Sequence, residues 1–126
     1  MTLAPEPAAA IGEYLADKSE NGTRLFRAFQ QLVENCGESH ASVSRTIVFF
    51  KRARVFAGAA VKGRRLEVVI DLLREIDHPL LLVAFPTTKK VVSHRLRIVE
   101  VAQLDESIAA LLREAYDDVG PGTRGR

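Results

Sequence analysis

The chain has 126 residues, 47% of them hydrophobic and 27% charged, with a formal net charge of +2. A chain of this length buries roughly two-thirds of its unfolded surface around one core, so it needs neither disulfides nor a structural metal to fold. Its one cysteine, Cys36, excludes an internal disulfide and fits a reducing compartment. The small net charge says little about polyanions, and no apolar run approaches the ~18 residues of a membrane helix.

The first ten residues, "MTLAPEPAAA", carry Glu6 and two prolines and have no positive flank. They read as a flexible leader rather than a secretory signal, and the expectation is a soluble cytoplasmic domain. "IGEYLADK" follows as about two turns of helix with Ile11, Tyr14 and Leu15 on one side. In "TRLFRAFQQLVENCG", Leu25, Phe26, Phe29, Leu32, Val33 and Cys36 recur at spacings of three and four, which predicts an amphipathic helix. Thr23 or Asn21 is its expected cap, and Gly37 its stop.

Strand chemistry then takes over. "RTIVFF" and "RVFAGAAV" are β-branched and aromatic, and Lys62–Gly63 offers a tight turn into "RRLEVVIDLL". There Leu66, Val68, Ile70 and Leu72 alternate with Glu67, Val69, Asp71 and Leu73. "REIDHP" reads as a connection, and "LLLVAF", a "PTTK" turn and "KVVSHRLRIV" read as a second hairpin. "LDESIAALLREAYDDVG" closes the fold as a helix, with Asp105 and Glu106 in its first turn and Gly120 at its end. Helices flanking a run of about five strands predict one α+β domain over residues 11–119, with the helices packed on one face of an antiparallel sheet. Residues 120–126 read as a flexible basic tail.

"LFRAFQQLVENCG", "FFKRARVFAGAAVKGRRLEVVIDL", "HPLLLVAFPTTKKVVSHRLRI" and "LDESIAALLREAY" stand here in order and cover roughly residues 25 to 116. This ordered set resembles a family of bacterial domains of unknown function, number 5655. The resemblance implies an α+β domain, found alone or at the C-terminal end of larger proteins, with no established activity. It draws attention to Arg52, Arg54, His94 and the run Glu114–Ala115–Tyr116.

Residues 45 to 65 hold seven cations and no acid, the pattern of a polyanion grip. Period-two phasing disperses them: Arg54 and Lys62 lie at two ends of a strand, while Arg95 and Arg97 share a side with Ser93. Glu67 and Asp71 stand on the matching side of the preceding strand as neutralising partners. The nucleic-acid alternative therefore rests on Lys51, Arg52, Arg54, Arg95 and Arg97, and the solvated-sheet reading is preferred to it.

His94 shares a face with Val92, Leu96 and Ile98, so it is either a satisfied core histidine or the ligand-binding or general-base residue of a pocket, with Tyr116 as its neighbour. Cys36 and His40 are four apart, but Gly37 interrupts the helix between them and no second pair completes a metal site. No phosphate loop, nucleophile elbow or zinc-protease helix is present, and no cofactor or metal is expected. A second sheet face left apolar marks a homodimer or protein-partner surface unless residues 11 to 18 fold back over it. The favoured function is a non-catalytic binding or interaction module for a protein or small molecule. Nucleic-acid association, or a minimal enzyme built on His94, is the alternative.

Overall fold

Three helices cover one face of a single antiparallel sheet in the computed structural model, which describes residues 6–123. The elements are α1 (Pro7–Leu15), α2 (Glu20–Cys36), β1 (His40–Val43), β2 (Val48–Lys51), β3 (Val55–Lys62), β4 (Arg65–Leu72), β5 (Leu81–Pro86), β6 (Val92–Ile98) and α3 (Glu106–Asp118), with a short 3-10 turn at Val101–Gln103. The fold is the expected α+β class, but the sheet has six strands rather than about five, in the order β1-β2-β3-β4-β6-β5. The extra strand is "HASV", an edge strand whose polar-apolar alternation, with Ala41 and Val43 against the core, runs over only four residues.

The helices form where the apolar spacing demands, and α2 starts on a different cap from the one expected. Ser19, rather than Thr23 or Asn21, caps α2: its Oγ accepts from the Gly22 amide at 3.0 Å and donates to the Gly63 carbonyl at 2.7 Å. Asn21 instead donates to the Arg64 carbonyl, so the start of α2 is tied to the β3–β4 turn. Asp105 caps α3, accepting from the amides of Ser107 and Ile108. Arg113 of α3 donates to the carbonyls of Asn35 and Cys36, placing a cation at the negative end of α2. Helix α1 begins at Pro7, inside the segment expected as a leader; residues 1–5 and 124–126 of the expected leader and tail lie outside the described residues.

The core lies between the helices and one sheet face. Phe26 and Phe29 of α2 stack against Phe50 of β2, and Tyr14 of α1 stacks against Phe26. Ala57, Ala59 and Val61 of β3 and Leu66, Val68 and Ile70 of β4 complete that face. The Tyr14 hydroxyl donates to the Thr46 carbonyl and accepts from the Val61 amide, which fixes α1 on the same side as α2. Residues 11 to 18 therefore do not fold back over the second face. No helix among the described residues is long and apolar enough to cross a membrane.

One irregularity sets the other face. Phe50 pairs with Ala57 and Lys51 with Val55, so Phe56 is an extra residue in β3. The bulge turns Phe56 toward the helices, edge-on to Tyr116 at 5.3 Å between ring centroids. Val55 is delivered to the opposite face, where Arg54 of the preceding bend also lies.

Candidate functional site: the open face of the sheet

Outward-pointing residues of five strands line a trough on the helix-free face. One lobe, of about 280 Å³, lies among residues that include Phe49, Arg54, Val55, Asp71, Phe85 and Ser93. The second, of about 300 Å³, extends toward Thr46, Ala60, Lys62 and Glu67. The lobes share Ile47, Phe49, Val69 and Arg95, so they form one continuous depression. Its floor exists because Gly58 stands directly opposite Phe49 in the ladder. A Cβ on Gly58 would come within 2.9 Å of the Phe49 ring, so glycine lets the ring lie down on the sheet.

A polar network is built into one end. Asp71 is 7% exposed, and its carboxylate accepts from the Ser93 hydroxyl at 2.6 Å and from Nη1 of Arg54 at 3.1 Å. Nη1 of Arg54 also donates to the Val55 carbonyl at 2.9 Å. Asp71 and Ser93 are directly paired across β4 and β6, and Arg54 reaches Asp71 from the bend between β2 and β3. Burying a carboxylate is costly unless it is paired and hydrogen-bonded, and this one is both. The network is poorly arranged for nucleophilic chemistry: the only group accepting the Ser93 proton among the described residues is the Asp71 carboxylate, a weak base already held by a guanidinium.

The five cations of the sequence pattern go to separate tasks. Arg52 points to α3, where its guanidinium lies over the Tyr116 ring at 4.2 Å and donates to the Tyr116 carbonyl. Arg54 is held by Asp71, and Arg97 stands opposite Glu67. Lys51 is exposed at the end of β2. Arg95 is exposed within the trough, between Val69 on β4 and Val83 on β5. The expected neutralisation therefore divides: Glu67 faces Arg97, whereas Asp71 pairs with Arg54 instead of Arg95.

His94 and Tyr116 are placed apart from the trough and from each other's hydrogen bonds. His94 is fully buried, and its Nε2 accepts from the Ile76 amide at 3.0 Å. The proton therefore sits on Nδ1, which donates to the Ile70 carbonyl at 3.2 Å. Both ring nitrogens are used in pinning the β4–β5 connection to the sheet. Tyr116 donates to the Glu38 carbonyl and packs between Phe56 and Arg52. Glu114 makes a two-pronged ion pair with Arg74. Of the residues singled out by resemblance, Arg52, Glu114 and Tyr116 thus fasten loops to α3, His94 fastens one to the sheet, Ala115 is buried core, and Arg54 belongs to the trough. The Gly120 carbonyl completes that clamp by accepting from the amides of both Ala53 and Arg54. A side chain at Gly120 would meet Arg52 and the Tyr116 carbonyl.

Cys36 is half-buried, with its thiol on the Leu32 carbonyl, and burial pushes its pKa up rather than activating it. His40 opens β1.

A second polar cluster lay outside the sequence reading. His78 Nδ1 accepts from the Leu80 amide, so Nε2 carries the proton toward the Ser107 oxygen at 2.9 Å. Ser107 in turn donates to Asp105 at 2.6 Å. These three residue types suggest a nucleophilic triad, but the proton directions are reversed: the histidine donates to the serine rather than accepting from it. The cluster closes the start of α3 over the 78–80 loop.

No curated protein and no solved structure matches the chain. A family model described as a domain of unknown function (DUF5655) matches residues 11–119, a span that contains every strand, α2 and α3, and the whole trough; the chain belongs to that family.

Proposed function

We propose that this domain is a non-catalytic binding module whose binding surface is the open face of its sheet. The observation that carries this reading is the Arg54–Asp71–Ser93 network, a buried charge set into the wall of a trough on the helix-free side. A sheet face meant only to meet water needs no buried carboxylate, because exposed charges at strand ends keep it soluble at lower cost. What such a network supplies is a wall of fixed shape beside an apolar floor, the composition of a ligand site. The partner is a small molecule or a protein, and a second copy of the chain is one such protein.

The test is backbone amide NMR of labelled protein titrated with a library of small fragments. Perturbed amides clustering on Phe49, Val69, Ser93 and Arg95 are the expected result. Hits confined to the helix side, or an absence of hits from a folded and monomeric sample, would overturn the small-molecule form of the reading. Light scattering on the same sample reports whether a second copy already occupies the face.

A further inference from the structure

We infer that the occupant of the trough is a small amphipathic anion, with a carboxylate or sulfonate on Arg95 and an apolar body on Phe49, Val55, Val69 and Phe85. This rests on the reading of the open face as the binding surface. Arg95 stands where the two lobes meet, and its ladder neighbours on both sides are valines, Val69 and Val83. Its side chain makes no hydrogen bond or ion pair among the described residues. The two carboxylates of the trough are already answered. Asp71 is held by Arg54 and Ser93, and Glu67 lies 3.8 Å from Arg65 and opposite Arg97. Arg54 spends only Nη1 on Asp71 and Val55, so Nε and Nη2 are unused among the described residues. Charge complementarity therefore asks for an anion, and a guanidinium beside apolar walls suits a planar carboxylate or a sulfonate bound by two parallel hydrogen bonds.

The shape of the floor selects a small molecule over a macromolecule. Phe49, Val55, Val69 and Phe85 are half-buried and recessed rather than protruding. A stable protein interface covers roughly 800 Å² per partner with an apolar centre. Here Lys62, Arg65, Glu67 and Arg97 carry charge across the neighbouring strand positions. A phosphate backbone would need a row of free cations, and Arg52 and Arg54 are diverted from any such row.

The probe is 1-anilinonaphthalene-8-sulfonate, an apolar body with one anionic group, compared by fluorescence titration with uncharged N-phenyl-1-naphthylamine. The folded wild-type chain should bind both saturably. Arg95→Met, which keeps the aliphatic stem, should weaken the sulfonate dye by about tenfold or more and leave the uncharged dye within about twofold, since a charge-assisted hydrogen bond is worth at least that factor. Phe49→Ala should weaken both. Arg95→Gln serves as a second variant, and unchanged circular dichroism and unfolding midpoints qualify each protein. If the Arg95 variants leave the sulfonate dye unaffected, or weaken both dyes alike, the anion assignment is wrong while the trough stands. If folded wild type binds neither dye, or Phe49→Ala changes neither, the open-face reading itself is wrong.

Discussion

Phe49 and Phe50 are adjacent in the chain and belong to different regions of the molecule. Phe50 is 3% exposed and stacks with Phe26 and Phe29 under the helices, whereas Phe49 lies half-buried on Gly58 in the trough. The same β2 ladder thus holds one ring in a filled interior and the next on a surface that a ligand can reach. Interior positions lose both transfer energy and packing when truncated, while a surface ring loses only part of the first. Stability should therefore belong to the helix side and binding to the open side. Phe50→Ala should cost about 3–5 kcal/mol in urea unfolding, and Phe49→Ala about 1 kcal/mol or less. Equal losses would mean that the open face is a second interior, covered in solution by another chain.

Asp71 blurs the division, because it is buried on the side assigned to binding. Removing it strands the Arg54 guanidinium beside Val55 and Val69 and leaves the Ser93 hydroxyl without its acceptor. Breaking a buried pair costs about 3–5 kcal/mol; the Arg54 side chain is 27% exposed and finds some water, so about 2–3 kcal/mol is expected for Asp71→Ala. Replacing both partners, with Arg54→Met and Asp71→Leu together, should restore most of that stability while altering dye binding in the trough. A double variant no more stable than Asp71→Ala would show that the network holds the bulge at Phe56 as well as the trough wall.

His94 sharpens the contrast from the other side. It was a candidate for ligand binding on its residue type, yet both of its nitrogens bind backbone in the interior. His94→Leu leaves the Ile76 amide without its partner and takes one donor from the Ile70 carbonyl, at a cost of about 2 kcal/mol. Dye binding to the open face should not change at temperatures where the variant is folded.

These residues also mark what could be read before the structure. Apolar spacing in "LFRAFQQLVENCG" and alternation in "RRLEVVIDLL" carried the fold, because burial of one face imposes those periods directly. Phase on a strand placed Ser93, Arg95, Arg97, Glu67 and Asp71 on one side correctly. Three things were out of reach. The alternation of the edge strand "HASV" spans only four residues, too few to stand out, and Ser19 lies outside the apolar stripe that marks α2. The extra residue at Phe56 was hidden because "VFAGAAV" is apolar or small at every position, so a shift of phase leaves no trace in composition. Simple alternation puts Arg54 on the side of Gly58, Ala60 and Lys62, which is the trough side, and its reach from the 52–54 bend to Asp71 is what leaves Arg95 without that carboxylate. The bulge itself moves Phe56 to the helix side and Val55 to the trough.

The smallest expected effect tests whether the loop fasteners around α3 belong to the stable side. Hydrogen bonding to Arg74 holds the Glu114 pKa below its ordinary 4.5, against the upward push of partial burial. A carboxylate with a lowered pKa in the folded state binds fewer protons there than in the unfolded chain, so stability rises with pH across that interval. The contribution is fully present above the ordinary value and is lost as the pH falls through the folded one. Asp105 is lowered as well, chiefly by the Ser107 hydroxyl and the Ile108 amide, so its titration overlaps and only a difference measurement isolates Glu114. Glu114→Gln should be slightly less stable than wild type at pH 7 and should show a shallower acid limb in thermal unfolding between pH 5 and 3. The gap between the two proteins should close toward the acid end of that range. A constant gap would mean that glutamine disturbs packing rather than removing a charge, and Arg74→Met should then fail to reproduce it. If Arg74→Met flattens the acid limb as Glu114→Gln does, the start of the 74–80 connection is held to α3 by charge, while His94 holds its middle at Ile76 to the sheet.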